Sequence, residues 1–160
     1  MSPVLVPLTP ANMPHMLAVR HRSITNLGHT YTPSQLAAWL SRDSQDSLTT
    51  TLHGRTTSAL AALCPHSGNL IGFGIAVSNE VTKMFTDPSH IRQGIGSHIL
   101  QGLTSAIGQK GHAKAIVDAS LVAVPFYQTH GFRTQNTVLN TMPNGTTIST
   151  VLMVKNLMER

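Results

Sequence analysis

The chain reads as an α/β protein with a mixed sheet and helices on both faces, and three stretches carry that reading. Residues 81–86 are β-branched and aromatic, stop at Asp87-Pro88, and lead through a glycine-bearing loop into an amphipathic run over 97–109. Two apolar runs, 59–63 and 70–77, are separated by Pro65-His66-Ser67-Gly68-Asn69, the mark of an antiparallel hairpin. A second hairpin, 137–141 with 146–154, turns on Asn144-Gly145.

From the N-terminus, Val4, Leu5 and Val6 make a short strand that ends near Pro7. Thr9-Pro10 then starts a helix, threonine capping and proline at its first position, with Met13, Met16, Leu17 and Val19 as its apolar side. Residues 23–31 are polar around Gly28 and read as a loop. Thr32-Pro33-Ser34-Gln35 is a capping box that opens a second helix, whose buried stripe is Leu36, Trp39 and Leu40. Residues 41–58 are rich in Ser, Thr and Asp without an apolar period, which predicts a loop with at most a short strand near 48–52. After the first hairpin, Ile95, Ile99, Leu103 and Ile107 recur every four residues, the inward stripe of the helix over 97–109. Residues 114–119 predict another buried strand, and the second hairpin closes the chain. Gly72 and Gly74 leave room for close packing across their strand.

At 160 residues, 17.2 kDa and 41% hydrophobic content, one domain over 1–160 with a sizeable core is expected and no second is required. A formal net charge of +5 favours an anionic ligand. Nucleic acid is disfavoured because the basic residues are scattered and only 4% of the chain is aromatic, too little for base stacking. The lone Cys64 reads as a core residue at a strand end and forms no internal disulfide. No stretch approaches the length of a membrane span or the pattern of a signal peptide, so a cytoplasmic protein is the default expectation. No histidine pair has the spacing and companions of a zinc site, and no metal is expected.

The chemistry concentrates in Arg92-Gln93-Gly94-Ile95-Gly96-Ser97. Two glycines let backbone amides converge on an anion, and the helix N-terminus adds partial positive charge. The third glycine of a dinucleotide fingerprint and the Gly-Lys-Ser/Thr ending of a P-loop are both absent. Further on comes Ala123-Val124-Pro125-Phe126-Tyr127-Gln128-Thr129-His130-Gly131-Phe132. Together these two motifs resemble the GNAT superfamily of acetyl-CoA-dependent N-acetyltransferases. Tyr31-Thr32-Pro33-Ser34-Gln35-Leu36, followed by Trp39, is similar to the helix pair of small bacterial members.

That resemblance implies a central, mostly antiparallel sheet with helices on both faces, acetyl-CoA as co-substrate, and a small-molecule or peptide amine as acceptor. It implies that Met84, Phe85 and Thr86 hold the pantetheine arm through their backbone and that amides from Arg92 to Ser97 hold the pyrophosphate. Tyr127 is then the acid for the departing thiolate, a role that suits a phenol protonated at neutral pH; its other reading is packing on the sheet. The acids number six: Asp43, Asp46, Glu80, Asp87, Asp118 and Glu159. Of these, Glu80 starts the strand whose alternate residues Thr82, Met84 and Thr86 share its face; it reads equally as the base or as a solvated strand end. His29 is the alternative base, and His29 and Tyr31 lie in the region implied to line the acceptor side. No acid occurs over 13–40, which argues against polyamines and aminoglycosides and for a less cationic acceptor, an amino acid, a peptide N-terminus or a small amine; the hypothesis is one amine, with any carboxylate meeting Arg20 or Arg22.

Two positions depart from the family pattern. Ile91 replaces an arginine or glutamine before the loop, and Val122 replaces an asparagine near the pantetheine. They keep open a second reading, a non-catalytic acyl-CoA-binding or regulatory module with the same fold. Two-fold dimers are the commonest closed assembly and frequent among similar proteins, which favours a homodimer.

Overall fold

The computed structural model describes residues 2–158, so Glu159 lies outside it. Seven strands form one sheet in the order β1 (Val4–Pro7), β2 (Thr57–Leu63), β3 (Leu70–Val77), β4 (Glu80–Thr86), β5 (Lys114–Ser120), β7 (Thr147–Asn156) and β6 (Arg133–Thr141). All neighbouring pairs are antiparallel except β4 and β5. The helices are α1 (Met13–Thr25), α2 (Pro33–Leu40), α3 (Gln45–Leu52), α4 (Ile95–Gln109) and α5 (Val124–Thr129).

Helix α4 covers one face. Ile95, Ile99, Leu103 and Ile107, the stripe expected from their spacing, are all buried among Ile71, Ala76, Val81 and Val117. The helix sits directly on β3 because Gly72 and Gly74 have no side chain there: a Cβ on Gly74 would stand 2.6 Å from Ile99 Cγ2 and 2.8 Å from Leu103 Cδ1. On the opposite face, Met13, Met16 and Val19 of α1 pack with Phe73 and Ile75 of β3. A third, smaller cluster joins Tyr31 and Ala38 to Met142 and Ile148, tying the α1–α2 region to the β6–β7 hairpin.

Three local expectations are corrected. Helix α1 follows a single 3-10 turn at Pro10–Asn12 and continues to Thr25 through part of the expected loop, because Ile24 is buried and the Ser23 hydroxyl donates to the Thr86 carbonyl at 2.8 Å. Residues 45–52, expected as loop or strand, form α3. Ser44 and Ser47 cap its start reciprocally, and two residues four apart, Leu48 and Leu52, suffice to anchor it on the core beneath β2.

The third correction concerns β4. Between Ile75↔Lys83 and Ala76↔Val81 the register shifts, leaving Thr82 as an extra residue in a bulge. One inserted residue reverses the alternation of faces. Val81 and Met84 therefore point to the α4 side, whereas Glu80, opposite Val77, falls on the α1 side with Lys83 and Phe85. Glu80 does not share a face with Met84 and Thr86.

The contact between α4 and β3 yields a two-sided expectation. Gly74→Val lowers the unfolding free energy by roughly 3 kcal/mol through overpacking. In contrast, Gly108→Ala, whose Cβ meets only Leu157 Cδ1 at 4.0 Å, raises it by about 0.5–1 kcal/mol through helix propensity. Urea denaturation midpoints of the two variants measure both, and a Gly74→Val protein as stable as the parent would refute the packing account.

Candidate active site

β4 and β5 pair only through Glu80↔Ile116 and Val81↔Val117. That short ladder is pinned at its start, where the Ile116 amide donates to the Asn79 carbonyl at 2.9 Å and Asn79 Nδ2 to the Lys114 carbonyl at 3.2 Å. Past it the strands part, although β4 stays paired to β3 as far as Thr86 and β5 to β7 as far as Ser120. The β5-facing edge of β4 beyond Val81 is thus an open sheet edge inside the fold, with backbone groups available to an extended ligand. A cleft of about 590 Å³ fills the gap, lined by Met84, Phe85 and Thr86 on one arm and by Val117, Asp118 and Ala119 on the other.

At the end of β4, Asp87 turns the chain. Its carboxylate accepts from the Ser89 amide at 3.0 Å and the Ser89 hydroxyl at 2.8 Å, and from Arg22 Nε at 3.2 Å. Burial acts to raise the Asp87 carboxyl, but the hydrogen bonds from Arg22 and Ser89 together with the Arg22 charge outweigh it and hold it below the usual carboxylate range. The loop then runs through Arg92, with φ of 63°, and Gly94, with φ of 79°, into the N-terminus of α4. Both residues are in the left-handed region, which strains the non-glycine Arg92. The six amides of residues 92–97 have no acceptor among the described residues. A run of free N–H groups at a helix N-terminus is an anion cradle.

Helix α5 braces this cradle, for Phe126 lies against Gly96, where a Cβ would come within 3.3 Å of its ring. His130 Nδ1 lies 2.9 Å from the Phe126 carbonyl and so donates to it, which leaves Nε2 to accept from the Ser97 hydroxyl at 2.9 Å. Next to it Tyr127 is buried, edge-on to Phe126 and Phe132 with ring centroids 5.2 and 5.4 Å away. Its hydroxyl has no hydrogen-bond partner among the described residues and faces the cleft, and burial pushes its pKa well above the ordinary phenol value.

Glu80 lies at the apex, exposed to the cleft. Met84, Phe85, Thr86 and Tyr127 are brought together in the lining of the cleft, whereas residues 92–97 follow Ile91, the last loop residue of that lining, and are tied to it through Gly96 against Phe126. His29 and Tyr31 do not join them. His29 is exposed on the α1–α2 turn, outside the cleft lining. The Tyr31 hydroxyl is occupied, accepting from the Leu121 amide at 2.8 Å and donating to the Ser149 carbonyl at 3.4 Å, so this residue fastens α2 to β5 and β7. Burial chiefly raises its pKa.

The expectation that Arg20 or Arg22 awaits a carboxylate is also corrected. Arg20 is buried; it donates to the Leu40 and Trp39 carbonyls at the end of α2 at 3.2 and 2.8 Å, and to Asp43 at 3.2 Å. Burial lowers its pKa, with Asp43 opposing. Arg22 is committed to Asp87. Residues that no sequence signal assigned line the cleft instead. Asp118 does so from β5, and it was legible only as the one acid of that strand; Arg42 and Trp39 do so from α2 and its end.

Comparison with known proteins gives the same architecture. Residues 28–155 match the family model described as an acetyltransferase (GNAT) domain. The chain is 26% identical over 126 residues, 78% of its length and 77% of the relative's, to the uncharacterized N-acetyltransferase YafP of Escherichia coli (strain K12). Among solved structures it is similar to a GCN5-related N-acetyltransferase from Rhodopseudomonas palustris, at a TM-score of 0.90 and 23% identity, covering 98% of this chain and 97% of that one. It is also similar to the PaiA N-acetyltransferase from Thermoplasma acidophilum, solved in complex with coenzyme A, at a TM-score of 0.78 and 18% identity, covering 98% and 99%.

The Arg22–Asp87 pair has a pH signature. Because the folded carboxyl lies below its unfolded value of about 3.9, its contribution is complete above that value and is lost as pH falls through the folded pKa. Asp87→Asn is expected to cost about 1–2 kcal/mol at pH 7, the Arg22 side being half exposed, and to flatten the acid limb of the stability curve. Urea midpoints from pH 7 to 2 should show the two proteins converging at the acid end; a constant gap across that range would exclude this role.

Proposed function

The chain belongs to the GNAT acetyltransferase family, and from that premise we propose that it transfers the acetyl group of acetyl-CoA to a primary amine of a small molecule or peptide, by direct attack in a ternary complex. The observation that carries this reading is the parting of β4 from β5 immediately upstream of six unpartnered amides. The residues present suit the co-substrate: free amides over 92–97 for a pyrophosphate, and an open backbone edge at Met84, Phe85 and Thr86 for an extended amide-bearing arm. Ile91 and Val122, which depart from the family pattern, are both exposed at the cleft, where a backbone-mediated grip does not need their side chains.

Acetyl-CoA supplies a thioester whose carbonyl carbon a neutral amine attacks, the N–C bond forming as the C–S bond breaks. Glu80, with Asp118 on the facing arm, takes the ammonium proton directly or through water and passes it to solvent. The second proton that the nitrogen sheds ends on the departing sulfur by way of the Tyr127 hydroxyl. Burial keeps that hydroxyl protonated at neutral pH, so it acts as a donor. This reading takes residues 1–160 as one domain acting in the cytoplasm as a homodimer, an assembly that sedimentation velocity would test.

Calorimetric titration with acetyl-CoA, CoA and NAD tests the binding half, and thiol release over an amine panel the catalytic half. Expected are binding of acetyl-CoA and CoA but not NAD, loss of that binding in Gly94→Trp, and a fall in kcat of about 10²–10⁴-fold in Tyr127→Phe. Binding without turnover of any amine would point to a non-catalytic acyl-CoA-binding module, and failure to bind CoA would overturn the proposal.

A further inference from the structure

The bulge at Thr82 sets Glu80 and Lys83 on the same face of β4, the α1 side of the cleft. Asp118 belongs to that side too, since its neighbours Val117 and Ala119 point into the core beneath α4. Two carboxylates, one on each arm, therefore meet an incoming molecule near the apex, and neither has an ion-pair partner among the described residues. This is a seat for an ammonium group.

The other charges of the cleft are arranged differently. Asp43 is neutralised, its Oδ2 held by Arg20 Nε at 3.2 Å and its Oδ1 facing Lys83 Nζ at 3.5 Å. It has no capacity left for a second ammonium of a polycationic acceptor. Arg42, the preceding residue, lines the same rim exposed and without a hydrogen-bond or ion-pair partner for its guanidinium among the described residues. Its fork matches a carboxylate bidentately. Lys83, three residues along β4 from Glu80, is within about 10 Å of it along the strand, a span that the two side chains narrow further. The same cleft carries an apolar wall of Leu27, Trp39, Met142 and Ile148.

Resting on the reading given under Proposed function, we propose that the amine acceptor is an α-amino acid with an apolar side chain, its ammonium between Glu80 and Asp118, its carboxylate on Arg42 and its side chain against Trp39. Lys83 supports the carboxylate end while restraining Asp43. A zwitterion meets complementary charge at both ends of the acceptor half, whereas a polyamine meets repulsion at the rim.

Thiol release measured with L-phenylalanine, L-phenylalaninamide, phenethylamine and spermidine tests this, alongside calorimetry with acetyl-CoA on the same preparations. The expected kcat/KM for phenylalanine exceeds those of the amide and of phenethylamine by about 10-fold or more, the worth of a charge-assisted hydrogen bond. In Arg42→Gln that preference collapses by a similar factor, through KM, while acetyl-CoA affinity stays within about twofold. Lys83→Met serves as the second variant and is expected to reduce the preference to a smaller extent. Equal or better use of phenylalaninamide, pointing to a peptide N-terminus, or of spermidine, would overturn the inference, as would Arg42→Gln slowing phenylalanine and phenethylamine equally. Acetyl-CoA binding with no turnover of phenylalanine sinks this inference and leaves the cofactor reading standing; no acetyl-CoA binding sinks both.

Discussion

The structure is organised around two strands that begin as neighbours and do not remain so. A parallel pair that runs on as a ladder satisfies its backbone groups within the sheet. A pair that stops at Val81↔Val117 leaves an edge of β4 and an edge of β5 open in the middle of the molecule. Unpaired N–H and C=O groups are tolerated only where water or a ligand reaches them, so the gap has to remain a cleft. Everything nearby keeps it open without letting the sheet fall apart. The Asn79 contacts clamp the apex, α4 bridges β2, β3 and β4 beneath, and Tyr31 with its cluster spans the top from α2 to β7.

The electrostatics follow from the same geometry. Cations near the cleft fall into two groups, those fastening the scaffold and those left over. Arg20 ends α2 by taking up its last carbonyls, which fixes Trp39 over the cleft. Arg22 fastens α1 to Asp87, at the bend between β4 and the anion cradle. Both act on position, since a paired guanidinium offers little to a ligand. What remains is Arg42, and its freedom is informative because its two neighbours in the helix-end arrangement, Arg20 and Asp43, are so fully used.

Much of this was legible in the chain itself. The α4 stripe and the Asn144-Gly145 turn were strong because period and turn chemistry are local properties, and the Thr32 capping box was strong for the same reason. The cradle followed from the glycine spacing. Helix α3 was not legible because its polar sequence carries only Leu48 and Leu52 as anchors, and the reciprocal Ser44–Ser47 cap looks like any serine pair until the backbone is seen. The bulge had no signal at all: Val81, Thr82, Lys83 and Met84 suit a regular strand equally well, and the extra residue shows only against the register of β3. The burial of Arg20 depends on where α2 ends, a tertiary fact. The bulge and the burial of Arg20 bear on the part of the cleft lined by α1, α2 and the parted strands, α3 lies beneath β2 away from that lining, and the free amides of the glycine loop had a local signal.

That asymmetry has a physical basis. The cradle is built from contiguous residues whose function lies in backbone amides, so its chemistry is written in one stretch of chain and tolerates side-chain departures such as Ile91. The half proposed for the acceptor draws on α1, α2, both parted strands and the β6–β7 hairpin, and its properties are differences between charges that neutralise one another and charges that do not. A sequence lists Arg20, Arg22, Arg42 and Lys83 as equivalent cations. Only the fold separates them, because burial and pairing decide which of them still has something to offer an incoming molecule. Under the proposed function, substrate choice in this cleft rests on the pairing of a few rim charges, while the strands that create the cleft are independent of it.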